Sequence, residues 1–262
     1  MKIGFIGCGK MGGALARAVA KAEDVEILVA DRSKERIAEM QGEISCAAST
    51  AAEMAAACDF IFLGVKPDGV RAALCELAGS FDNKECTVVS MAAGVSLDTL
   101  ESCLDSGRPI IRIMPNTPAD VEQGMIVYAP NACVTEEQEA AFLQILKRAG
   151  RLDRLAEEKI DAATAVMGCG PAFAYLFTEA LADGGVLCGL PRDKAIVYAA
   201  QMMRGAAEMV LQKGQHPGKL KDDVCSPGGS TIEGVRALEE GGFRATAMNA
   251  VIAAYEKNKR LG

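Results

Sequence analysis

Several residue types and patterns are scarce in this 262-residue sequence, and each scarcity excludes a class of site. His216 is the single histidine, and no cluster of carboxylates and cysteines takes the place of imidazole, so we expect no metal site. The same shortage argues against a nucleophilic triad that depends on histidine. Ten cysteines are present, but their irregular spacing without paired C-x-x-C motifs indicates free thiols in a reducing compartment.

Basic blocks and long apolar stretches are also missing. The formal net charge is -7 and the lysines and arginines are scattered, which argues against nucleic acid as a partner. No apolar run reaches the length of a membrane span. The N-terminus enters an apolar strand at once, so it does not resemble a signal peptide. We therefore expect a cytoplasmic protein with no membrane partner.

An alternation of strand-like and helix-like segments fills the first two-thirds of the sequence. The apolar runs that read as strands are Lys2–Ile6, Val25–Ala30, Asp59–Val65, Cys86–Met91 and Ile110–Met114. Such alternation predicts an α/β fold with a doubly wound, mostly parallel Rossmann sheet. We assign it to residues 1–156, with an edge strand at 125–128 and a closing strand at 151–155.

Helical patterns replace the strand-like runs after Glu157. The predicted helices are Ile160–Met167, Ala172–Cys188, Arg192–Lys213 and Phe243–Lys259. Residues 172–187 are apolar on nearly every side, which is typical of a helix buried in a core or between subunits. We predict an all-helical dimerisation and substrate-binding domain over residues 157–262. The alternative is that these helices simply pack against the sheet of the same chain.

A glycine turn joins the first predicted strand to the first predicted helix. Gly7-x-Gly9-x-x-Gly12 in this context is the fingerprint of a dinucleotide site, because its backbone admits the pyrophosphate at a helix N-terminus. Asp31 ends the second strand, where that fingerprint expects an acid. The residues predicted to bind the cofactor here are Ile6, Gly7, Cys8, Gly9, Lys10, Met11, Asp31, Arg32 and Ser33.

The choice between NAD and NADP stays open at this point. Asp31 favours NAD, because a carboxylate accepts hydrogen bonds from the adenosine ribose. Arg32, Ser33 and Lys34 follow at once and favour NADP, because they suit a 2'-phosphate. Ser33 is alternatively just the N-cap of the next helix.

Three further loops follow predicted strands, at the sheet edge where doubly wound folds bind ligands. They predict additional cofactor contacts from Val65, Lys66, Pro67, Ala92, Ala93 and Asn116. Each loop alone is also compatible with ordinary turn chemistry.

A second glycine turn, Ser226-Pro227-Gly228-Gly229-Ser230-Thr231, precedes a predicted helix from about Ile232 to Glu240. Free backbone N–H groups at such a start suit a carboxylate, and Thr231 adds a hydroxyl. Ser230-x-x-Glu233 also matches a capping box, so a well-capped helix without a ligand is the alternative. His216-Pro217 is interpreted as a turn into a short helix rather than a catalytic group.

These motifs together resemble those of the pyrroline-5-carboxylate reductases. The resemblance runs from about Lys2 to Arg260. Beyond the two glycine turns and the loops above, it rests on Gly168-Cys169-Gly170-Pro171-Ala172, on Glu179-Ala180-Leu181-Ala182-Asp183-Gly184-Gly185 and on Leu238-Glu239.

The resemblance implies reduction of the cyclic imine 1-pyrroline-5-carboxylate to L-proline, the last step of proline biosynthesis, with NADPH or NADH. It further implies a homodimer or a larger assembly of dimers, with the pocket formed between two chains. We expect Thr231 to be catalytic through its contact with the ring nitrogen. The residues expected to bind substrate are Glu157, Ser226, Gly228, Gly229, Ser230 and Thr231.

Four positions depart from the family pattern. Cys169 replaces a serine, and Ala51 stands where a cofactor-contacting asparagine is usual. Gly214 replaces an acid found in some members, and Asp223 replaces an asparagine that contacts the cofactor in some members. At the last three positions the side chain on which the family contact depends is replaced.

Two other functions are compatible with parts of the sequence. A 3-hydroxyacid dehydrogenase would share the two-domain plan, but residues 168–175 lack the lysine on which those enzymes rely. A non-catalytic nucleotide sensor would keep the Gly7 turn but would not need the turn at 226–231.

Overall fold

A computed structural model describes residues 1–81 and 85–260, which form two compact units. One unit comprises Met1–Cys169 and Ala254–Gly262, and the other comprises Gly170–Ala253. We call them the sheet unit and the helical unit. The predicted domain boundary between residues 156 and 157 lies thirteen positions before the boundary of these two units, which is roughly the length of one short helix. The predicted boundary stays a prediction.

The described part of the sheet unit contains one eight-stranded sheet in the order β3-β2-β1-β4-β5-β6-β7-β8. The strands are β1 (Lys2–Ile6), β2 (Glu26–Ala30), β3 (Ala47–Ala48), β4 (Phe60–Leu63), β5 (Thr87–Ser90), β6 (Ile110–Met114), β7 (Gly124–Pro130) and β8 (Gly150–Arg154). All neighbouring strands are parallel except β6 and β7. The strand order reverses between β1 and β4, which places a ligand crevice at their carboxyl ends.

Helices cover the sheet and connect its strands. Those of the sheet unit are α1 (Lys10–Val19), α2 (Lys34–Glu43), α3 (Ala51–Ala57), α4 (Pro67–Leu77), α5 (Leu97–Glu101), α6 (Glu136–Leu146) and α7 (Ile160–Ala163), followed by a π-helical turn at Thr164–Gly168. Apolar residues fill both faces of the sheet, including the stacked rings of Phe5 and Phe62, whose centroids are 4.8 Å apart. The predicted α/β fold is therefore confirmed.

Several local predictions needed correction. The segment predicted as an edge strand is β7, which lies inside the sheet, because β8 pairs with it as the edge. Strand β3 and helices α3 and α5 were not predicted. Strand β3 has two residues and α3 is mostly alanine, so neither carries a periodic apolar pattern.

The helical unit consists of long helices with little buried surface. Its helices are α8 (Gly170–Leu187), α9 (Arg192–Lys213), α10 (Pro217–Asp223), α11 (Ser230–Glu240) and α12 (Phe243–Asn258), the last of which continues into the sheet unit. The core cluster of this unit comprises three buried alanines, Ala182, Ala195 and Ala199. Large apolar side chains are exposed on α8 and α9, among them Leu176 at 67% and Val197 at 60%.

One helical stretch among the described residues, Glu157–Leu187, is long and apolar enough to cross a membrane by length and composition alone. Its 31 residues include a window of mean hydropathy 1.3. The expectation that no segment reaches this length was therefore wrong. The finding is weak support for a membrane helix, because core helices of globular proteins satisfy the same criterion.

Candidate functional site

Three glycines interlock where β1 and β4 end. Gly7 has φ +92°, a conformation that L side chains rarely adopt. A Cβ on Gly12 or on Gly64 would overlap the carbonyl oxygen of Gly7. The turn therefore depends on glycine at all three positions, which brings the start of α1 close to the sheet.

Helix α1 begins at Lys10 with Gly9 as its N-cap, and no side chain caps it among the described residues. The first amides of a helix have no partner within that helix, so they are available to an anion. A Cβ on Gly9 would meet the Nη1 atom of Arg36 at 3.1 Å and no other described atom within 4 Å. The turn thus has the open backbone that a dinucleotide pyrophosphate requires.

The Asp31 carboxylate organises this turn. Its Oδ2 atom accepts a hydrogen bond from the Cys8 amide at 2.7 Å, and its Oδ1 atom accepts one from the Ser33 amide at 2.9 Å. Ser33 caps α2 by accepting from the Arg36 amide at 3.3 Å, and its hydroxyl lies 2.7 Å from Glu35 Oε2. Both side chains are therefore engaged by the protein itself.

Burial affects the thiol inside the turn. It raises the pKa of Cys8 to about 12, and the negative charge of Asp31 adds to the effect. Cys8 is therefore a protonated packing residue in this structure, and all ten cysteines of the chain are free.

The loops after β4 and β5 reach the same end of the sheet. Lys66 is exposed at the N-cap of α4, and Pro67 occupies its first turn as expected. Ala92 is buried and Ala93 half-buried, and Gly94 has φ +75°. The predicted cofactor positions in these loops therefore lie at the carboxyl ends of neighbouring strands β4 and β5.

Asn116 follows β6 and is buried. Its Nδ2 atom donates to the carbonyl of Met167 at 2.9 Å, while its Oδ1 atom accepts from the Met125 amide at 2.9 Å. This side chain joins the loop after β6 to the π-helical turn. A contact between Asn116 and the cofactor stays a prediction. Both polar atoms of the Asn116 side chain already have a protein partner, which leaves little hydrogen-bonding capacity for the cofactor.

Glu157 belongs to a partly buried charged cluster centred on Arg112 of β6. Arg112 donates to Glu157 Oε1 at 3.0 Å and lies 3.4 Å from Asp161 Oδ1, and its side chain is only 6% exposed. Glu157 Oε1 also accepts from the Leu97 amide at 2.7 Å. The cluster ties β6, α5 and the start of α7 together, so the substrate contact expected of Glu157 stays a prediction.

The second glycine turn lies in the helical unit, between α10 and α11. Gly228 has φ +68°, and the Gly229 amide donates to the Ser226 carbonyl at 3.0 Å. A Cβ on Gly229 would overlap the Ser226 hydroxyl, so a larger residue there requires that hydroxyl to move. Thr231 is exposed in the first turn of α11.

The predicted capping box at Ser230 is wrong. Gly229 is the N-cap of α11 and Ser230 is its first helical residue, and no side chain caps the helix among described residues. Glycine competes with serine for the N-cap position, and the backbone of the turn favours it here. The correction leaves the N-terminal amides of α11 free for an anion.

Three of the four departures from the family pattern have defined local positions. Ala51 opens α3 after the capping residue Thr50, whose hydroxyl accepts from the Glu53 amide. Gly214 is the left-handed C-cap of α9 with φ +60°. Asp223 pairs with Lys219 on α10. His216 caps α10 through Nδ1, which accepts from the Gly218 amide at 3.1 Å, and this confirms its interpretation as a turn residue.

The sequence analysis did not identify two arginines of the sheet unit, Arg112 and Arg36, as candidate functional residues. Arg112 interrupts an otherwise apolar strand, and a charge in a buried strand needs partners, so its position was a usable signal. Arg36 lies within a polar helix, where nothing in the sequence separates it from Arg32 or Lys34.

Family models match both parts of the chain. A model described as pyrroline-5-carboxylate reductase dimerisation matches residues 157–261. A model described as NADP oxidoreductase, coenzyme F420-dependent, matches residues 2–94.

Curated relatives match from end to end. A pyrroline-5-carboxylate reductase from Escherichia coli strain K12 is 46% identical, with 99% of this chain and 98% of the relative covered. The enzyme of the same name from Methanosarcina acetivorans is 42% identical, with 100% and 98% covered. The one from Arabidopsis thaliana is 41% identical, with 99% and 95% covered.

Solved structures agree. A Plasmodium falciparum pyrroline carboxylate reductase with NADP bound has a TM-score of 0.89 at 35% identity, with 100% of this chain and 98% of that chain covered. A prephenate dehydrogenase from Aquifex aeolicus shares the fold alone, at 13% identity and a TM-score of 0.55, with 94% and 98% covered.

Proposed function

Because this chain belongs to the pyrroline-5-carboxylate reductase family, we propose that it reduces the cyclic imine 1-pyrroline-5-carboxylate to L-proline as the last step of proline biosynthesis. The observation that carries this function is the 46% identity to the Escherichia coli reductase over 99% of the chain. The family predicted from the motifs, the NAD(P)H-dependent oxidoreductase class and the fold are confirmed. The chain also carries a dimerisation domain and so forms homo-oligomers.

The sheet unit holds the dinucleotide in this proposal. Uncapped amides at the start of α1 receive the pyrophosphate, and the glycines at positions 7, 9 and 12 keep side chains out of its path. NADPH supplies, when bound, the hydride that reduces the imine carbon. Lys66, Ala92 and Ala93 line the nicotinamide side by their place at the ends of β4 and β5.

The helical unit holds the substrate. The amides of Gly228 to Thr231 grip the substrate carboxylate at the uncapped start of α11. The Thr231 hydroxyl contacts the ring nitrogen. The substrate brings the proton on that nitrogen as an iminium ion, so transfer of hydride to the carbon completes the reduction. These groups mainly orient the ring, so little acid–base chemistry is required of the protein.

We further propose a dimer or a larger assembly of dimers in the cytoplasm, with no nucleic-acid or membrane partner. Free thiols at all ten cysteines support a reducing compartment. The exposed apolar side chains of α8 and α9 support burial against a second copy.

Steady-state kinetics of the purified protein test the activity. We expect oxidation of NADPH with 1-pyrroline-5-carboxylate. With 3-hydroxyisobutyrate and NAD⁺ we expect no reduction of NAD⁺. Turnover with neither substrate, despite cofactor binding, would instead support a nucleotide sensor.

Thr231→Ala tests the residue assignment. We expect kcat/KM for the imine to fall about tenfold or more, because a hydroxyl contact in the transition state is lost, while Kd for NADPH stays unchanged. Thr231→Ser keeps the hydroxyl and is expected to retain most activity, and Thr246→Ala on α12 serves as a control for helical threonines. Wild-type kinetics in Thr231→Ala would exclude the role given to this residue.

A further inference from the structure

A shallow groove of about 250 Å³ lies beside the glycine turn in the sheet unit. Cys8 and Gly9 of the turn line it together with Arg36 of α2. The guanidinium of Arg36 lies against the open face of Gly9, where an added Cβ would be only 3.1 Å from Nη1. The groove is therefore next to the backbone that we propose for the pyrophosphate, on the side of α2.

Two other candidates for the adenosine end of a dinucleotide, Asp31 and Ser33, are engaged elsewhere. Asp31 accepts the Cys8 and Ser33 amides with its two carboxylate oxygens. The Ser33 hydroxyl is shared between the Arg36 amide and Glu35, and this hydrogen bond holds the pKa of Glu35 below its usual value. Asp31 thus stabilises the turn through both carboxylate oxygens. Its position is therefore no argument that the adenosine ribose carries a free 2'-hydroxyl, as in NADH.

Charge in the groove favours an anion. Lys10, Arg17 and Arg36 line it together with Glu39 and Glu43. Arg17 pairs with Glu43 at 2.9 Å and with Asp120 at 2.6 Å, so its charge is compensated. Arg36 forms no ion pair among residues 1–81 and 85–260, and with Lys10 it leaves two cations facing one acid, Glu39.

We propose that Arg36 is the residue that selects NADPH over NADH, by pairing with the 2'-phosphate of the adenosine ribose. This inference rests on the proposed function and deepens it. The guanidinium presents a planar set of donors that suits a phosphate, and it sits within reach of the glycine turn. Arg32 and Lys34 flank the same strand end, but the contact with the turn belongs to Arg36.

The test compares kcat/KM for NADPH and for NADH in wild type, Arg36→Ala and Arg36→Lys, with 1-pyrroline-5-carboxylate as the second substrate. We expect Arg36→Ala to lower kcat/KM for NADPH about tenfold and to leave the value for NADH within about twofold, as for loss of a charged hydrogen bond. Arg36→Lys is expected to lie between. Arg71→Ala, which removes an exposed arginine from α4, is expected to change neither value.

Two results would overturn the proposal. An unchanged ratio of the two kcat/KM values in Arg36→Ala would show that Arg36 does not select the cofactor. Equal losses with both cofactors would place Arg36 on the pyrophosphate, which they share. Calorimetric Kd values for NADP⁺ and NAD⁺ need no turnover, so the selectivity is measurable even where the imine is not reduced and the proposed function fails.

Discussion

The sheet unit and the helical unit differ in how much of their apolar surface one chain buries. The sheet unit encloses large side chains such as Phe5, Phe62 and Leu74 on both faces of its sheet. The helical unit encloses three alanines and exposes leucine, valine and tyrosine side chains on α8 and α9. A single chain therefore completes the core of the sheet unit but not that of the helical unit. The helical unit needs a partner chain, as its match to a dimerisation domain implies.

The same difference extends to the candidate binding sites. In the sheet unit, the glycine turn is held by close packing of its backbone against Gly64, which follows β4, and by the bond from the Cys8 amide to Asp31. In the helical unit, the turn is exposed at Gly228 and half-buried at Gly229, and it is held by the bond between the Gly229 amide and the Ser226 carbonyl. The turn proposed for the cofactor is therefore held by more contacts within one chain than the turn proposed for the substrate.

The largest effect is expected from a charge placed on the exposed apolar face of the helical unit. Leu176→Asp puts a carboxylate on α8 where the side chain is 67% exposed in one chain. Burying an unpaired charge in a subunit interface costs several kcal/mol, and symmetry applies that cost twice, so the dimer Kd should rise at least about a hundredfold. Sedimentation equilibrium and light scattering measure the change.

Val121→Asp is the matched control, because Val121 is 68% exposed but lies in the sheet unit. We expect it to leave the oligomer intact. A Leu176→Asp protein that stays dimeric with wild-type stability would refute the view that α8 needs a partner chain. Wild-type protein that requires detergent to stay in solution would point to a membrane instead.

A smaller effect is expected from adding one methyl group to the glycine turn. Gly12→Ala places a Cβ against the Gly7 carbonyl, so the turn must shift; we expect a loss of about 1–3 kcal/mol in unfolding free energy and much weaker NADPH binding. Gly42→Ala makes the same change on α2, where a Cβ meets nothing within 4 Å. It should stabilise the protein by about 0.5–1 kcal/mol.

Urea unfolding and NADPH titration of both variants check this contrast. Equal effects of the two substitutions would mean that this packing does not hold the turn, and the distinction between the two units would lose its main support.

Sequence patterns predicted the sheet unit better than the helical unit, because one chain completes only the core of the sheet unit. Alternating apolar runs report on a core within one chain, and β1, β2, β4, β5 and β6 all appeared where such runs occur. The helix bounds of α9 were also predicted as observed, Arg192–Lys213. The apolar character of α8 was visible, but which surface covers it depends on a second chain and not on any local pattern.

Predictions of site chemistry from the sequence stopped at side chains whose partners are distant along the chain. Glu157 is 45 residues from Arg112, so their ion pair leaves no local pattern. The bond from the Cys8 amide to Asp31 spans 23 residues, and Asp31 was interpreted only as a possible ribose contact. Ser230 has the right spacing for a capping box, and the conformation of Gly229 overrides it.

The smallest effect is expected inside the sheet unit, where the buried Tyr128 of β7 donates a hydrogen bond to Glu139 at 2.7 Å. Burial, followed by this bond and the negative charge of Glu139, raises the pKa of Tyr128 from 10.0 to about 12. Because folding raises the pKa, the protonated phenol stabilises the native state fully below about pH 10, and this contribution is lost as the pH rises towards 12.

Tyr128→Phe removes both the bond and its titration. The difference in unfolding free energy between wild type and variant should be constant from about pH 7 to 9 and should shrink above about pH 10. Urea denaturation across this pH range measures that difference in unfolding free energy. Hydrogen exchange, analysed by peptide fragment, measures it separately for each of the two units. A self-sufficient sheet unit confines the change to its own amides, because Tyr128 packs in a core completed by one chain. An equal change in the amides of α9 would show that the two units unfold together and that the sheet unit is not independent.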